Sequence, residues 1–379
     1  MDAENLSGRL RSDLEARRER VVRLTRERGL RGLLVYSDAG NAGNVRYLTN
    51  YAPLFGTSIL LVRDDGEQIL LTTFNWDAPR ARLASGVERI DSGFNTGDLV
   101  IHALGDLGLE TGDLLGLVGA NEIPHVLYDA LTEHGSRPDP IDVQADFENL
   151  RLIKSPVEQE LLKRAAAATD DAINAVLSEA RAGATELELA ALAEYHMKKA
   201  GAEGLAFPAS IASGPNTEKP VSLPSARALQ PGDLVMMDVG ATWEGYSADV
   251  TRTFVVGVPS QRQREIYAIV SHALEGVTQT VRPGVAANEL HRAAVRALDE
   301  HDLAGYFTHR VGHGIGLETS LEAPDLQRDE RPLRPGMTFC VEPGVYIPGF
   351  GGIKIEDDIV VGTDGPEVIS HARRDLVSV

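Results

Sequence analysis

Four carboxylates and one imidazole fall at unusual places in the C-terminal half of the sequence. In VMMDVGATWEGYSADVTRTF (235–254), Asp238 and Asp249 interrupt two runs of β-forming residues around a turn. With the turn centred near Trp243 and Glu244, the two are expected directly opposite each other, on one face, with Cβ atoms roughly 4.5–5.5 Å apart. In FCVEPGVYIPGFGGIKIEDD (339–358), Glu342 and Glu356 are symmetric about Gly349, inside a Pro348–Gly352 turn. Carboxylates so paired repel unless one takes up a proton or a cation lies between them. Between the hairpins, RVGHGIGLE sets His313 among Gly312, Gly314 and Gly316, whose missing side chains leave room for a metal. An oxygen-rich set with one imidazole suits a pair of Mn²⁺, Co²⁺, Fe²⁺ or Zn²⁺ ions better than a closed thiolate zinc site.

A single aspartate in a hairpin is ordinarily a turn or surface residue, and part of the Glu356-Asp357-Asp358 run is expected to be solvated. The metal reading rests on two acid pairs and the histidine occurring together. In that order, DVGATWEGYSADVTRTF, GHGIGLE, VEPGVY and IKIEDD resemble the ligand-bearing motifs of the dinuclear metallopeptidases of pita-bread fold. LIKSPVEQELLKRAA and AFPASIASGPN resemble the prolidase and aminopeptidase P branch of that family. The resemblance spans about Arg151 to Asp375 and implies a role for each matching residue. Asp238 would hold one ion, Asp249 and Glu356 would bridge two, and His313 and Glu342 would complete the second. A metal-bridging hydroxide would be the nucleophile, with Glu342 as general acid/base. Mn²⁺ is the first choice of ion, the substrate a short Xaa-Pro peptide or dipeptide, and the assembly a homodimer by family analogy.

The sequence also departs from the family pattern. Two histidines that ordinarily contact substrate are replaced, one by Val221 and the other by Ser320 or Leu321, depending on the alignment of the loop. Lys354 stands where an arginine is common, which keeps the charge and loses the bidentate fork. His309, four residues before His313, matches a family position and is a candidate substrate contact. Arg46, in NVRYLTNY, is a candidate clamp for a substrate carboxylate. Tyr246 and Thr251 flank Asp249 and are candidates to orient carboxylates. The altered shell leaves two alternatives open: a hydrolase of a non-proline peptide or other small amide, and a binding protein that keeps the fold without turnover.

These residues need elements to position them. Leu6, Leu10, Leu14, Val21, Val22 and Leu24 give the first ~30 residues a helical spacing. GLLVYS, SILLVRDDGEQILLTT with its Asp64-Asp65-Gly66 turn, and LLGLVG read as strands. A small α/β domain is therefore expected over 1–150. At Ser155-Pro156, with Glu158 three residues after the cap, a capped helix opens a second domain over 151–379. Further helices are expected around Glu186 to Ala200 and Gln261 to Thr280. The fold class is α/β (α+β), a small N-terminal α/β domain followed by a pita-bread domain. The net charge of -19 opposes binding to nucleic acid or anionic membrane. The one cysteine, Cys340, the charged start and the lack of a long apolar run point to the cytoplasm.

Overall fold

In the computed structural model the chain divides into two compact units, Met1–Arg151 and Leu152–Val379. Residues 3–132, 138–318 and 322–379 are described. The first unit opens on the helix Ala3–Glu27. Its strands are β1 (Gly32–Asp38), β2 (Thr57–Arg63), β3 (Gln68–Thr72), β4 (Arg89–Ser92), β5 (Leu114–Val118) and β6 (Asp139–Asp142), in the sheet order β4-β3-β2-β1-β5-β6. β2 runs antiparallel to β1 and β3, whereas β1–β5, β3–β4 and β5–β6 are parallel. Alternation along the strands puts Leu34, Tyr36, Ile59, Leu61, Ile69, Leu71, Leu115 and Leu117 into one cluster. Helices Thr96–Asp106 and His125–Thr132 cover it with Val100, Ala103, Leu104, Leu127 and Leu131.

The second unit begins with helix Pro156–Glu179, capped by a reciprocal Ser155–Glu158 box, and helix Glu186–Ala200, capped likewise by Thr185 and Glu188. They lie with β7 (Gly204–Leu205), β8 (Ser210–Ser213), β9 (Leu234–Val239), β10 (Ala241–Trp243), β11 (Tyr246–Ser247) and β12 (Val250–Val255), which form the three-stranded sheets β11-β10-β7 and β12-β9-β8. Helices Gln261–Thr280 and Ala287–Asp299 follow. The last strands are β13 (His313–Gly314), β14 (Glu322–Asp325), β15 (Thr338–Val341), β16 (Gly344–Ile347), β17 (Gly351–Lys354), β18 (Asp357–Val361) and β19 (Pro366–Val368). They form the sheet β14-β13-β15-β18-β19 and the hairpin β16–β17.

Side-chain parity explains how one unit carries both a dry core and an acidic interior. Val235, Met237 and Val239 of β9 and Phe254 of β12 pack with Ile173, Val176 and Met197 of the first helix pair. Asp238 and Thr251 alternate with them and face the other way. In the second half Phe339, Val341, Ile353, Ile355, Ile359 and Val361 pack with Val270, Leu274 and Leu290 of the second helix pair. Cys340, Lys354, Glu356 and Asp358 are the residues between. Each large apolar side chain buried in these layers contributes about 1.5–3 kcal/mol, which offsets the cost of burying charge on the opposite face.

Candidate metal centre

The structure corrects the first hairpin. Asp238 pairs with Thr251, not with Asp249, and the ladder continues as Val239 with Val250. The turn residues are Glu244 and Gly245, with φ of 46° and 83°, so Trp243 pairs with Tyr246. Two positive φ values are what a two-residue hairpin turn of the primed type demands. The resulting shift of two residues preserves the face, so Asp249 lies diagonally from Asp238 rather than across from it. Gly240 permits the close crossing there, since a Cβ on it would stand 2.0 Å from the Ala248 carbonyl oxygen.

In the second hairpin, Gly344 pairs with Lys354 and Val341 with Asp357. Both ladders keep a register centred on Gly349, and Glu342 and Glu356 face each other in the gap between them. His313 comes from β13, where Gly312 passes so close to β15 that a Cβ would stand 2.0 Å from the Cys340 carbonyl oxygen.

These elements bring the five expected ligands together. Ligand atoms of Asp238, Asp249 and Glu356 all lie within 4.8 Å of one another, as do those of Asp249, His313 and Cys340, and of Cys340, Glu342 and Glu356. His313 Nε2 is 3.5 Å from Asp249 Oδ2 and 3.9 Å from Glu342 Oε1. Its Nδ1 lies 3.1 Å from the Gly314 carbonyl oxygen, which can only accept. In the neutral imidazole Nδ1 therefore carries the proton, and the Nε2 lone pair faces the acids as a metal ligand must. Lys354 sends its ammonium into the same cluster, 2.7 Å from Asp238 Oδ2, 3.1 Å from Glu342 Oε2 and 3.5 Å from Glu356 Oε2.

One ammonium against four carboxylates leaves the cluster negative. Burial, then the neighbouring Glu356 and Asp238, pushes the Asp249 carboxyl well above the usual carboxylate range. Burial raises Asp238 as well, and Lys354 only partly offsets it. Burial alone would lower Lys354, but Asp238, Glu356 and Glu342 outweigh it and hold the ammonium charged. Among the described residues Asp238 Oδ1 and Glu356 Oε1 are buried without a hydrogen-bond partner. Converging acceptors, two of them unsatisfied, and a correctly oriented imidazole fit divalent ions, which replace the protons that burial would otherwise demand.

The surrounding residues fix this set. Thr251 donates to Glu356 Oε2 at 2.6 Å. Asp358 Oδ2 accepts the Asp249 backbone N–H at 3.1 Å. Arg252 donates to the Glu356 carbonyl at 2.5 Å and to Asp357 Oδ1 at 2.8 Å. The expectation of solvated acids after Glu356 fails, because Asp357 and Asp358 are both 0% exposed. Each points into a polar interior with its own donors, which sequence adjacency alone does not show. Tyr246 donates to Glu158 at 2.9 Å and ties the hairpin to the capping box of helix Pro156–Glu179.

A cavity of about 380 Å³ opens onto Asp238, Asp249, His313 and Glu342, walled by Phe207, Pro208, Val221 and Leu223. Val221, at the position of a family histidine, is an exposed apolar side chain here. His309 also lines the cavity. Its Nδ1 is 2.7 Å from the Arg310 carbonyl oxygen and its Nε2 is 2.8 Å from the Tyr346 hydroxyl. The carbonyl can only accept, so neutral His309 carries its proton on Nδ1 and accepts from Tyr346 at Nε2. Burial lowers its pKa and favours that neutral form. Arg46 lies on the short helix Gly43–Thr49 of the first unit. Ser320 and Leu321 fall outside the described residues. Sequence reasoning missed Arg252, Asp358 and the approach of Cys340; strand parity from Glu342 would have flagged the cysteine.

The family described as Metallopeptidase family M24 matches residues 160–363, and the Creatinase/Prolidase N-terminal domain matches residues 17–153. An Xaa-Pro dipeptidase of Pyrococcus horikoshii is 33% identical over 339 residues, covering 88% of this chain and 92% of that protein. The crystal structure of an X-Pro aminopeptidase from Thermotoga maritima is similar at a TM-score of 0.88 and 30% identity, with 96% of this chain and 99% of that one covered. The prolidase structure from Pyrococcus horikoshii gives 0.86 and 30%, with 96% and 100% covered. The chain is a metallopeptidase of family M24, in its pita-bread, prolidase branch, with a Creatinase/Prolidase N-terminal domain ahead of the catalytic fold.

Proposed function

We propose that this peptidase hydrolyses the Xaa-Pro bond of dipeptides or short peptides, with Asp238, Asp249, His313, Glu342 and Glu356 holding two divalent ions, Mn²⁺ foremost. The observation that carries the metal reading is the pair of buried, unpartnered oxygens, Asp238 Oδ1 and Glu356 Oε1, beside the His313 lone pair. The Xaa-Pro specificity is supported by relatives of that name. Bound ions supply an acidified water as nucleophile and a Lewis acid for the scissile carbonyl. Glu342, at the cavity wall, takes a proton from the attacking water and passes it to the leaving nitrogen. Thr251 and Lys354 fix the rotamers of Glu356 and Asp238, so that one oxygen of each turns inward. Lys354 is the candidate contact for substrate charge within residues 152–379. His309 positions Tyr346 rather than offering an N–H of its own. The expected assembly, by family likeness, is a homodimer.

Val221 favours a second reading, in which the same centre cleaves a different amide, since an acceptor oxygen on substrate or intermediate has no imidazole donor to meet there. The experiment compares metal-free protein before and after Mn²⁺ on a peptide panel (Xaa-Pro dipeptides, Xaa-Pro-Xaa tripeptides and Xaa-Ala controls) and on a panel of non-peptide amides, with Glu342→Gln alongside. Mn²⁺-dependent release from the proline substrates, reduced about 10²–10⁴-fold in the variant, is expected. Turnover confined to the alanine or non-peptide amides establishes the second reading, and none on either panel sinks both.

A further inference from the structure

Cys340 is the single cysteine of the sequence and is fully buried in β15. Parity places it on the same face as Glu342, away from Phe339 and Val341, which belong to the helix-side core. Its Sγ therefore looks into the acidic cluster. On one side it lies within 4.8 Å of ligand atoms of Asp249 and His313, and on the other of Glu342 and Glu356. A second observation does not involve the thiol. Glu356 is 0% exposed, and among the described residues its Oε1, in the same group as Cys340, has no hydrogen-bond partner.

We propose that Cys340 gives this centre a second, softer coordination mode, in which a thiophilic divalent ion of the Zn²⁺ or Cd²⁺ class is held by Cys340 Sγ together with His313 Nε2 and an Asp249 oxygen on one side, or with Glu342 and Glu356 oxygens on the other. The proposal rests on the metal reading of the cluster. The physical basis is ligand softness: thiolate and imidazole favour Zn²⁺ and Cd²⁺, whereas carboxylate oxygens alone suit Mn²⁺. Coordination forms an S–metal bond, breaks the S–H bond and releases the proton to solvent; no electron is transferred. The thiol does not line the substrate cavity. An ion drawn onto it would occupy side chains proposed for catalytic loading, so the soft mode competes with that loading. The same residues thus sort ions by hardness as well as by charge.

The test titrates metal-free full-length protein with Cd²⁺ and, separately, Mn²⁺, followed by ultraviolet absorbance and calorimetry. Expected is a thiolate-to-Cd²⁺ charge-transfer band, together with Cd²⁺ affinity at least about 10-fold weaker in Cys340→Ser, a loss no smaller than that of removing an outer partner of a ligand. Mn²⁺ affinity stays as in the unsubstituted protein. Cys340→Ala is run in parallel, because a buried hydroxyl among the acids can perturb folding. Cd²⁺ binding without the band, or equal Cd²⁺ affinity in the folded variants, overturns the role of Cys340 while leaving the metal centre intact. Failure of the unsubstituted protein to bind either ion overturns the metal reading itself and this proposal with it.

Discussion

At the scale of single residues, carboxylate oxygens are allotted rather than shared. Glu356 gives Oε2 to the Thr251 hydroxyl and keeps Oε1 unsatisfied; Asp238 gives Oδ2 to Lys354 and keeps Oδ1. Replacing Thr251 with Val removes the donor at nearly equal volume. Mn²⁺ affinity, read by competition with a chelating dye, is expected to fall about 10-fold while the far-ultraviolet circular dichroism stays unchanged. Lys354→Met acts differently, since it leaves buried acids without their cation. The metal-free variant is expected to lose about 3–5 kcal/mol in urea unfolding, and added Mn²⁺ to restore much of it. The five candidate ligands that the structure gathers were legible from residue type and spacing, and so was the Glu342–Glu356 register. The Asp238–Asp249 pairing was displaced because both turn positions adopt positive φ, which a centre guessed from the Glu-Gly dipeptide placed one residue early. The reach of the Lys354 ammonium into the cluster depends on its rotamer against two other strands, information that no linear spacing contains.

At the scale of elements, the cavity wall depends on a carboxylate outside the candidate ligand set. Glu186, first residue of its helix and 0% exposed, accepts from the backbone N–H and hydroxyl of Ser213, from Asn216, and from the backbone N–H and hydroxyl of Ser225. It thereby pins both ends of the segment that presents Pro220, Val221 and Leu223 to the cavity. Burial alone would raise its pKa, but the donors of Ser225, Ser213 and Asn216 hold it below the ordinary value of 4.5. A depressed folded pKa means that its stabilisation is fully present above the unfolded value and fades as pH falls through the folded one. Glu186→Gln is therefore expected to cost about 2–3 kcal/mol at neutral pH, with the difference shrinking below about pH 4.5. Urea midpoints across that range check it, and a constant difference sinks the assignment. The helix itself was visible in the sequence, together with its cap; the convergence of a loop of serines on its first residue was not.

For the whole molecule, each unit has its own apolar core, and the candidate ligands all belong to residues 152–379. Metal held at the proposed site stabilises the folded second unit and not its unfolded chain, so saturation at 100 times the dissociation constant is expected to add about 2.7 kcal/mol to it. Calorimetry with and without Mn²⁺ is expected to raise the transition of residues 152–379, and stripping the metal with chelator to reverse the shift. No helix among the described residues is long and apolar enough to cross a membrane. The strand alternation that separates core from cluster was readable from the sequence in each half. Which strands meet was not, because β13 reaches β15 over a long stretch of chain, and only the glycine at 312 hints at how close that approach is.

The ammonium of Lys354 also bears on the order of events in the life of the chain. Many metal sites are assembled by their ion, because the ligands cannot be brought together without it. Here a covalently attached cation already lies among the acids when the strands close. Folding and metal loading are therefore expected to be separable steps. On the proposed metal reading, the newly made protein is expected to reach its native shape in a metal-poor interval and to take up its ions later without dismantling the sheets that present the acids.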